Sequence, residues 1–329
     1  MKGPVIAVTS GDPCGIGPEV ILNTLSAPAS SGPVRCVIIG DHSVFEQTAR
    51  RLRRRLPPWR VVPAGAPWPL EGTRLLFLDG NHPGRFLPGR SSATAGRASL
   101  AYLDRAVALW RDGRIRALVT APVTKWAIAR SVPSFVGQTE YLAKAMGVRD
   151  VVMMFVSDHL RVALLTRHLP LRRVPDAIDR TLLRTTVRLT ASALTTQFRL
   201  QRPRLALCGL NPHAGEASYV GREEELVMRP VLRALRREGI VCDGPFAADG
   251  FFAKRPSYDA VICAYHDQGL IPFKMAARDR GCQLSVGLPI VRTAPDHGSA
   301  LDIAGRGLAD PGSMRYALEL AIHLVQGKS

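Results

Sequence analysis

The chain has 329 residues, of which 46% are hydrophobic and 22% charged, and its formal net charge is +17 at pH 7. This length allows a large core and two lobes, because single cores stop growing at roughly 250 to 300 residues. The basic residues are dispersed outside Arg50–Arg55, and the few aromatic residues do not interleave with that run, so we expect no nucleic-acid partner.

Short runs rich in β-branched residues alternate along the chain with segments of helical periodicity. This alternation is typical of an α/β protein with a largely parallel sheet and some antiparallel pairing. Strands are predicted at Val5–Thr9, Val34–Ile39, Leu75–Leu78, Ala117–Thr120, Val151–Val156, Val162–Thr166, Leu205–Cys208 and Ala260–Ala264. Helices are predicted at Ala98–Trp110, Val174–Gln197, Glu223–Glu238 and Pro311–Val325.

The sequence also indicates where the protein resides. No stretch approaches the ~18 unbroken apolar residues of a transmembrane helix, and the first apolar run is too short for a signal peptide. The six cysteines include no Cys-x-x-Cys pair, so we expect free thiols rather than disulfides. We therefore expect a cytoplasmic protein without a membrane partner.

Three histidines each follow a predicted strand, at a turn marked by glycine or proline. They are His168 in Thr-Arg-His-Leu-Pro, His213 in Asn-Pro-His-Ala-Gly-Glu and His266 in Tyr-His-Asp-Gln-Gly. Imidazole is the commonest ligand for zinc and similar metals, and three protein ligands leave a position open for water or substrate. The placement suggests one shared, catalytic metal site, although each histidine alone could merely form hydrogen bonds in its turn.

A glycine-rich turn follows the first strand and opens a helix. It reads Ser-Gly-Asp-Pro-Cys-Gly-Ile-Gly-Pro-Glu from residue 10 to residue 19. Such a turn presents N–H groups to an anion or a cofactor phosphate. Its spacing differs from Gly-x-Gly-x-x-Gly, and a glycine-rich turn is often only a tight turn, so both interpretations stay open.

Residues 297–305 read His-Gly-Ser-Ala-Leu-Asp-Ile-Ala-Gly, which is similar to the adenosine-binding loop of isocitrate and isopropylmalate dehydrogenases. Nearly the whole chain resembles the 4-hydroxythreonine-4-phosphate dehydrogenase family of vitamin B6 biosynthesis. The segments that carry this resemblance are residues 11–19, 120–125, 137–141, 168–171, 211–216, 265–270 and 287–289.

The resemblance implies a two-lobed α/β/α fold like that of isopropylmalate dehydrogenase. Its sheets would be mixed but largely parallel, with the active-site cleft between the lobes. We expect residues 1–128 and 297–329 to form the first lobe. Residues 129–296 would form the second lobe, with the metal ligands and the dimer contacts.

The resemblance also implies an activity. It is the metal-dependent oxidation, by NAD or NADP, of 4-phosphooxy-L-threonine to 2-amino-3-oxo-4-phosphooxybutanoate, which decarboxylates to 3-amino-2-oxopropyl phosphate. The partners would be this small phosphorylated hydroxy acid and a second copy of the chain, in a homodimer with sites near the interface. One divalent ion per site, zinc, cobalt or magnesium, would act as the Lewis acid.

Residues that match family positions are expected to form the site. The metal ligands would be His168, His213 and His266. Substrate would contact Gln138, Thr139, Lys274, Gln283 and Arg292. Lys274 and Asp249 would be catalytic, although Asp249 could instead cap the segment that follows it. The cofactor would contact Gly11, Asp12, Gly15, Gly17, His297, Gly298 and Asp302.

Two positions depart from the family pattern. The family has histidine at Gln138 and asparagine at Gln283. Glutamine can donate a hydrogen bond but cannot carry positive charge, and Gln283 reaches one methylene farther. These departures make 4-phospho-D-erythronate and 4-phosphothreonate alternative substrates, with an aromatic dihydrodiol dicarboxylate more distant.

Two interpretations from other protein classes also stay open. A phosphate acyltransferase would share the general fold and need anion-binding loops, but it would not need three metal-binding histidines. A noncatalytic binding protein would explain the two departures as lost chemistry, but not the complete metal set and loop.

Overall fold

The computed structural model describes residues 3–26, 34–66, 73–254 and 257–327. Within these ranges the strands are β1 (Val5–Thr9), β2 (Arg35–Gly40), β3 (Arg60–Val62), β4 (Leu75–Asp79), β5 (Ala117–Thr120), β6 (Val152–Ser157), β7 (Arg161–Leu164), β8 (Arg204–Cys208), β9 (Val241–Phe246), β10 (Ala260–Cys263), β11 (Gly281–Val286) and β12 (Val291–Pro295). All eight predicted strands are therefore confirmed, with ends that differ from the predicted ones by at most two residues.

The helices alternate with these strands. They are α1 (Gly17–Ser26), α2 (His42–Arg51), α3 (Ala93–Arg111), α4 (Lys125–Ala129), α5 (Gln138–Ala145), α6 (Val174–Ala177), α7 (Arg180–Thr196), α8 (Arg229–Arg237), α9 (Ala248–Lys254), α10 (His266–Ala277) and α11 (Gly312–Gln326). Short 3-10 segments lie at Leu171–Arg173 and Pro212–Ser218, and a π-helical turn lies at Glu224–Met228.

Capping residues explain where the predicted helices differ from the observed ones. α3 begins five residues earlier than predicted, at Ala93, because the Ser92 side chain accepts a hydrogen bond from Ala95 N at 3.2 Å. The predicted helix from Val174 to Gln197 divides into α6 and α7, because Asp179 caps α7 by accepting from Leu182 N at 2.7 Å.

The chain forms two compact units, one of Met1–Arg149 with Leu288–Lys328 and the other centred on Asp150–Gly287. Residues 129–149 and 288–296 thus lie in the first unit, whereas the expected lobes placed them in the second. Packing accounts for this: α4 and α5 contact α3, and β12 pairs with β5. The approach of α3 to α4 is so close that a Cβ at Gly96 would lie 2.2 Å from Ala127 O.

The strands of the first unit lie in the order β3-β4-β2-β1-β5-β12, and each neighbouring pair among them is parallel. The strands β2, β3 and β4 lie on one side of β1, and the chain then crosses to the other side, where β5 and β12 lie. The carboxyl ends of strands at such a change of direction commonly carry the ligand site of an open α/β sheet. Here those ends lead into Ser10, Ala121 and Asp296.

The strands of the second unit lie in the order β11-β6-β7-β10-β8-β9. β6 is antiparallel to both of its neighbours, whereas β7, β10, β8 and β9 are mutually parallel. One face packs a core against α9 and α10, which includes Phe155, Leu164, Val261, Leu270 and Phe273, each less than 9% exposed. The α/β class with largely parallel and some antiparallel pairing is confirmed.

Two further expectations concern the chain as a whole. All six cysteines are free thiols, as predicted. In the described ranges, none of the helices combines the length and apolar character that a membrane crossing requires.

Candidate active site

Four polar side chains follow the carboxyl ends of the four parallel strands of the second unit. His168 comes after β7, His266 after β10, His213 after β8 and Asp249 after β9. Because these strands are parallel neighbours, their carboxyl ends meet at one edge of the sheet. The fold thus gathers at one edge residues that lie up to 98 positions apart in sequence.

His168 and His266 lie side by side, with ring centres 5.6 Å apart and ring planes inclined by 39°. At a metal–nitrogen distance of about 2 Å, two imidazoles on one tetrahedral ion place their ring centres roughly 5 Å apart. Nδ1 of His266 lies 2.6 Å from Oδ1 of Asp267. A carboxylate only accepts, so Nδ1 carries the proton there and Nε2 is left as a lone-pair donor to a metal.

His213 lies on a loop of left-handed backbone. Residues 213–218 all have positive φ values, between 41° and 82°. Only glycine adopts this conformation without steric cost, and each other residue loses roughly 1 to 2 kcal/mol. Such local strain persists only where the surroundings determine the conformation.

Two glutamates hold the base of this loop through Asn211. Glu224, which is fully buried, accepts from Asn211 N at 2.8 Å and from Asn211 Nδ2 at 2.9 Å. Glu223 accepts from the same Nδ2 at 2.8 Å, and this hydrogen bond is the main reason that the pKa of Glu223 lies below its ordinary value. These bonds fix the chain two residues before His213.

The structure brings two of the three expected metal ligands, His168 and His266, together. Within the described part of the chain, no group of three or more His, Cys, Asp or Glu side chains is arranged to hold a metal ion. The donor chemistry nevertheless fits a divalent ion. The three imidazoles lie at one edge, two of their rings are adjacent, and His266 has a carboxylate partner on the nitrogen that faces away from the lone pair.

Two expected catalytic residues lie on helices that begin at this edge. Asp249 is exposed and lies in the first turn of α9. Its negative charge interacts favourably there with the positive end of the helix dipole, whether or not the side chain also contacts substrate. Lys274 is exposed and lies in the last turn of α10, the helix that begins at His266.

Gln283 lies inside β11, opposite Phe155 of β6, and is only 6% exposed. Its Nε2 donates to Ser285 Oγ at 3.0 Å. One N–H of the Gln283 side-chain amide, which could otherwise contact substrate, therefore forms a hydrogen bond within its own strand.

The other expected substrate residues lie in the first unit, around a buried arginine. Arg292 on β12 is 2% exposed, and its guanidinium donates to the hydroxyls of Thr139, at 3.3 Å, and Thr120. Thr139 lies in the first turn of α5, where N–H groups and the helix dipole favour an anion. A buried guanidinium beside hydroxyls at a helix N-terminus suits a phosphate or a carboxylate.

Gln138 begins the same helix. Its Nε2 donates to Ala121 O at 3.2 Å, while its Oε1 is buried and has no hydrogen-bond partner among the described residues. A buried carbonyl oxygen without a donor is costly, so this position suits a hydroxyl or ammonium group from a ligand.

The glycine-rich turn of the first unit is packed against the protein itself. A Cβ at Gly11 would lie 2.2 Å from Pro122 O, and one at Gly17 would lie 2.2 Å from Ser10 O. Asp12 is fully buried and accepts from Cys14 N at 2.8 Å and from Ser91 Oγ at 2.5 Å. These contacts give the turn a structural role.

The amide groups of the turn are also engaged. Asp12 N donates to Pro122 O, Gly15 N donates to Asp12 O, and Ile16 N donates to Ser299 O. A Cβ at Gly15 would lie 2.9 Å from that same Ser299 carbonyl. The turn thus supports the loop at residues 297–305 instead of leaving these amides for a phosphate.

That loop is held at its other end by Glu19. This buried carboxylate accepts from Gly305 N at 3.2 Å and from Ala309 N at 3.0 Å. Gly298 and Asp302 remain exposed, and the Nε2 atom of His297 is buried without a hydrogen-bond partner in the described ranges. The polar groups that a cofactor could reach therefore lie on the loop at residues 297–305, and not on the glycine-rich turn.

Two thiols of the first unit, Cys14 in the glycine-rich turn and Cys36 in β2, do not form a nucleophilic site. Burial is the main cause that raises the pKa of Cys14 to about 12 and that of Cys36 to about 11. A thiol is a nucleophile only as thiolate, so these groups are inert near neutral pH.

Sequence reasoning missed Glu19, Glu224 and Gln268 as residues that organise these loops. Each contacts backbone atoms of a distant segment or of a tight loop. In the sequence, the only indication of this role was that the three residues lie within or near the motifs that carry the family resemblance.

Comparisons with known proteins identify relatives of the whole chain. The family model described as pyridoxal phosphate biosynthetic protein PdxA matches residues 33–321. The chain is 44% identical over 330 residues to a 4-hydroxythreonine-4-phosphate dehydrogenase from Chromobacterium violaceum, covering 98% of this chain and 97% of the relative. It is 33% identical to the crystal structure of a 4-hydroxythreonine-4-phosphate dehydrogenase from Klebsiella pneumoniae, with a TM-score of 0.84, covering 98% of this chain and all of that one.

A third similar structure is a terephthalate 1,2-cis-dihydrodioldehydrogenase from Burkholderia xenovorans LB400. It is 30% identical, with a TM-score of 0.65, and the match covers 98% of both chains. The fold and these relatives define the class: this is an α/β dehydrogenase that acts on a CH–OH group. Within that class, the chain belongs to the PdxA family, as its nearly full-length match shows.

Proposed function

We propose that this chain catalyses the metal-dependent oxidation of 4-phosphooxy-L-threonine by NAD or NADP. The product, 2-amino-3-oxo-4-phosphooxybutanoate, then loses carbon dioxide to give 3-amino-2-oxopropyl phosphate. The observation that carries the proposal is the placement of His168, His213 and His266 just after the carboxyl ends of neighbouring parallel strands in a chain of this family.

The three histidines would hold the divalent ion, zinc, cobalt or magnesium. When bound, the ion supplies a Lewis acid that polarises the oxygen on the reacting carbon. The carboxylate of Asp267 keeps the His266 ring in the tautomer and orientation that a metal requires. Lys274 and Asp249 would exchange protons with the substrate or orient its amine.

Arg292 and Thr139 would bind an anionic group of the substrate, with Gln283 as a further polar contact. The guanidinium is already oriented by two threonine hydroxyls, so little side-chain entropy is lost when an anion binds. The N-terminus of α5, where Thr139 lies, would favour the same anion, as in other anion sites at helix N-termini.

The nicotinamide cofactor would supply the hydride acceptor, bound at His297, Gly298 and Asp302. Support for this comes from the exposed Gly298 and Asp302 and from the buried His297 Nε2. Gly11, Asp12, Gly15 and Gly17 would serve the cofactor by shaping this loop from beneath.

Gln138 bears on the choice among related substrates. Its Oε1 offers an acceptor, which would repel a phosphate oxygen but would bind a hydroxyl or an ammonium group. 4-Phosphooxy-L-threonine supplies an amine, whereas 4-phospho-D-erythronate supplies a hydroxyl. The phosphate acyltransferase and the noncatalytic binding protein are less well supported, because the nearly full-length relative is named a dehydrogenase.

A comparison of kcat/KM among substrates tests the proposal. The cobalt-loaded protein is given 4-phosphooxy-L-threonine, 4-phospho-D-erythronate, 4-phosphothreonate and terephthalate dihydrodiol, and NADH or NADPH is followed by absorbance. We expect the first substrate to have the highest kcat/KM, at least tenfold above the others. A higher value for any other substrate would reassign the substrate and leave the oxidation chemistry in place.

The proposal includes a homodimer, because large apolar side chains are exposed beside the histidines. Leu171 (67% exposed) follows His168, and Tyr219 (89%) follows His213. Exposed apolar groups of this size, on two loops at the same edge of a sheet, are typical of an interface. We expect sedimentation to give twice the mass of one chain, and Leu171→Glu with Tyr219→Glu to weaken this association. A monomeric wild-type protein would contradict it.

A further inference from the structure

The loops that carry the three histidines are joined to one another beyond the end of the sheet. The register between β8 and β10 runs as far as Leu207 and Ile262. Gly209 follows β8 and comes four residues before His213, and Ala264 follows β10 and comes two residues before His266. How these two segments are held therefore sets the relative positions of two of the proposed ligands.

The side chain of Gln268 connects these two segments. Its Nε2 donates to Gly209 O at 2.7 Å, and its Oε1 accepts from Ala264 N at 2.7 Å. A primary carboxamide has the same donor and acceptor as a peptide group. Gln268 thus replaces one rung of the β-ladder at the place where the two strands diverge.

The third loop is attached to the other side of Ala264. Thr166, two residues before His168, donates to Ala264 O from its backbone N at 3.2 Å and from its Oγ1 at 2.7 Å. The Ala264 N–H and carbonyl groups therefore link the stem of the His168 loop to Gln268, and through Gln268 to the stem of the His213 loop.

We infer that Gln268 is a positioning residue for the metal site, which fixes the His213 loop relative to His266 and, through Ala264 and Thr166, relative to His168. The inference rests on the proposed function, because it assigns Gln268 a role only if the histidines bind a metal. It explains how a strained left-handed loop at His213 can present its ligand at a fixed place.

Only an amide of this length satisfies both contacts. Glutamate at position 268 would accept from Ala264 N but would face the Gly209 carbonyl with a second acceptor. Methionine would fill the same volume with neither hydrogen bond. Gln268→Glu and Gln268→Met therefore remove the link in two chemically different ways.

Cobalt binding tests the inference without reference to catalysis. Full-length, metal-free protein is titrated with Co²⁺ while its visible absorption is recorded, and thermal unfolding of each metal-free variant checks the fold. We expect both Gln268 variants to bind Co²⁺ about 10- to 100-fold more weakly than wild type and to shift its absorption band. If Gln268→Glu does not fold, Gln268→Met decides the question.

Two controls separate the possible outcomes. Gln201→Glu changes an exposed glutamine at the amino end of β8, the opposite edge of the sheet, and should leave Co²⁺ binding unchanged. His213→Ala should abolish the wild-type spectrum. If His213→Ala weakens binding and both Gln268 variants bind like wild type, the role of Gln268 is wrong. If His213→Ala itself binds like wild type, the metal assignment in the proposed function fails, and the role of Gln268 fails with it.

Discussion

Replacement of His266 by alanine is expected to lower kcat/KM for 4-phosphooxy-L-threonine by at least about 1,000-fold. Loss of a Lewis acid removes several kcal/mol of transition-state stabilisation, and each 1.36 kcal/mol corresponds to tenfold in rate. His266 is the best placed of the three ligands, because its ring lies 5.6 Å from that of His168 and its Nδ1 is held by Asp267. The measurement is steady-state NADH formation, together with the metal content of the purified variant.

His159→Ala is the matched control for this experiment. His159 is an exposed histidine of the same unit, but it precedes β7 and therefore lies at the opposite edge of the sheet from His168. The control should keep both metal and activity. A His266→Ala variant that is folded and as active as wild type would refute the metal site.

The second large effect is expected at Arg292. Arg292→Lys keeps the charge but removes the planar fork that contacts Thr139 and Thr120. A lost hydrogen bond to a charged group costs about 1.5 to 3 kcal/mol, so we expect KM for the phosphorylated substrate to rise by roughly 10- to 100-fold. KM for NAD should change much less, since the cofactor is proposed to bind at a different loop.

Arg111→Lys provides the comparison for Arg292→Lys. Arg111 belongs to the same unit and donates to Ala145 O at 2.7 Å, but it is exposed. That variant should behave like wild type. An Arg292→Lys variant with unchanged KM for substrate, measured on protein with wild-type thermal stability, would show that this arginine does not bind the anion.

Local sequence signals were sufficient for the strands with uninterrupted apolar runs, such as β1 and β10. They were insufficient for β11, because its alternation of Gln283 and Ser285 with apolar residues is typical of a strand with one exposed face, whereas both polar residues are buried in the structure. They were also insufficient for α10, where Gly269 and Pro272 resemble helix breakers. In both cases tertiary packing overrides the local preference.

The histidines could be predicted as ligands from their motifs and from their position after strands. That they share an edge depends on strand order, because β10 lies between β7 and β8 although it follows both in sequence. No local pattern encodes that order. The contacts of Gln268 with Gly209 and of Glu19 with Ala309 are hidden for the same reason, since they join segments 59 and 290 residues apart.

The glycine-rich turn shows the opposite situation. Its composition was compatible with a cofactor-phosphate contact and with a tight turn, and its glycines are required by the close approach of Pro122, Ser10 and Ser299. Backbone atoms of other segments fill the space that a ligand would need, and a sequence pattern cannot distinguish these two uses of a glycine.

Restoration of activity by metal is the most direct test of the account. Chelator-treated protein is mixed with NAD and 4-phosphooxy-L-threonine, and absorbance by NADH is recorded before and after one equivalent of Co²⁺ is added. We predict no NADH formation without metal and a linear rate after the addition, with release of carbon dioxide. An equal rate in the two conditions, or no NADH in either, would contradict the proposal that this chain is a metal-dependent dehydrogenase of that substrate.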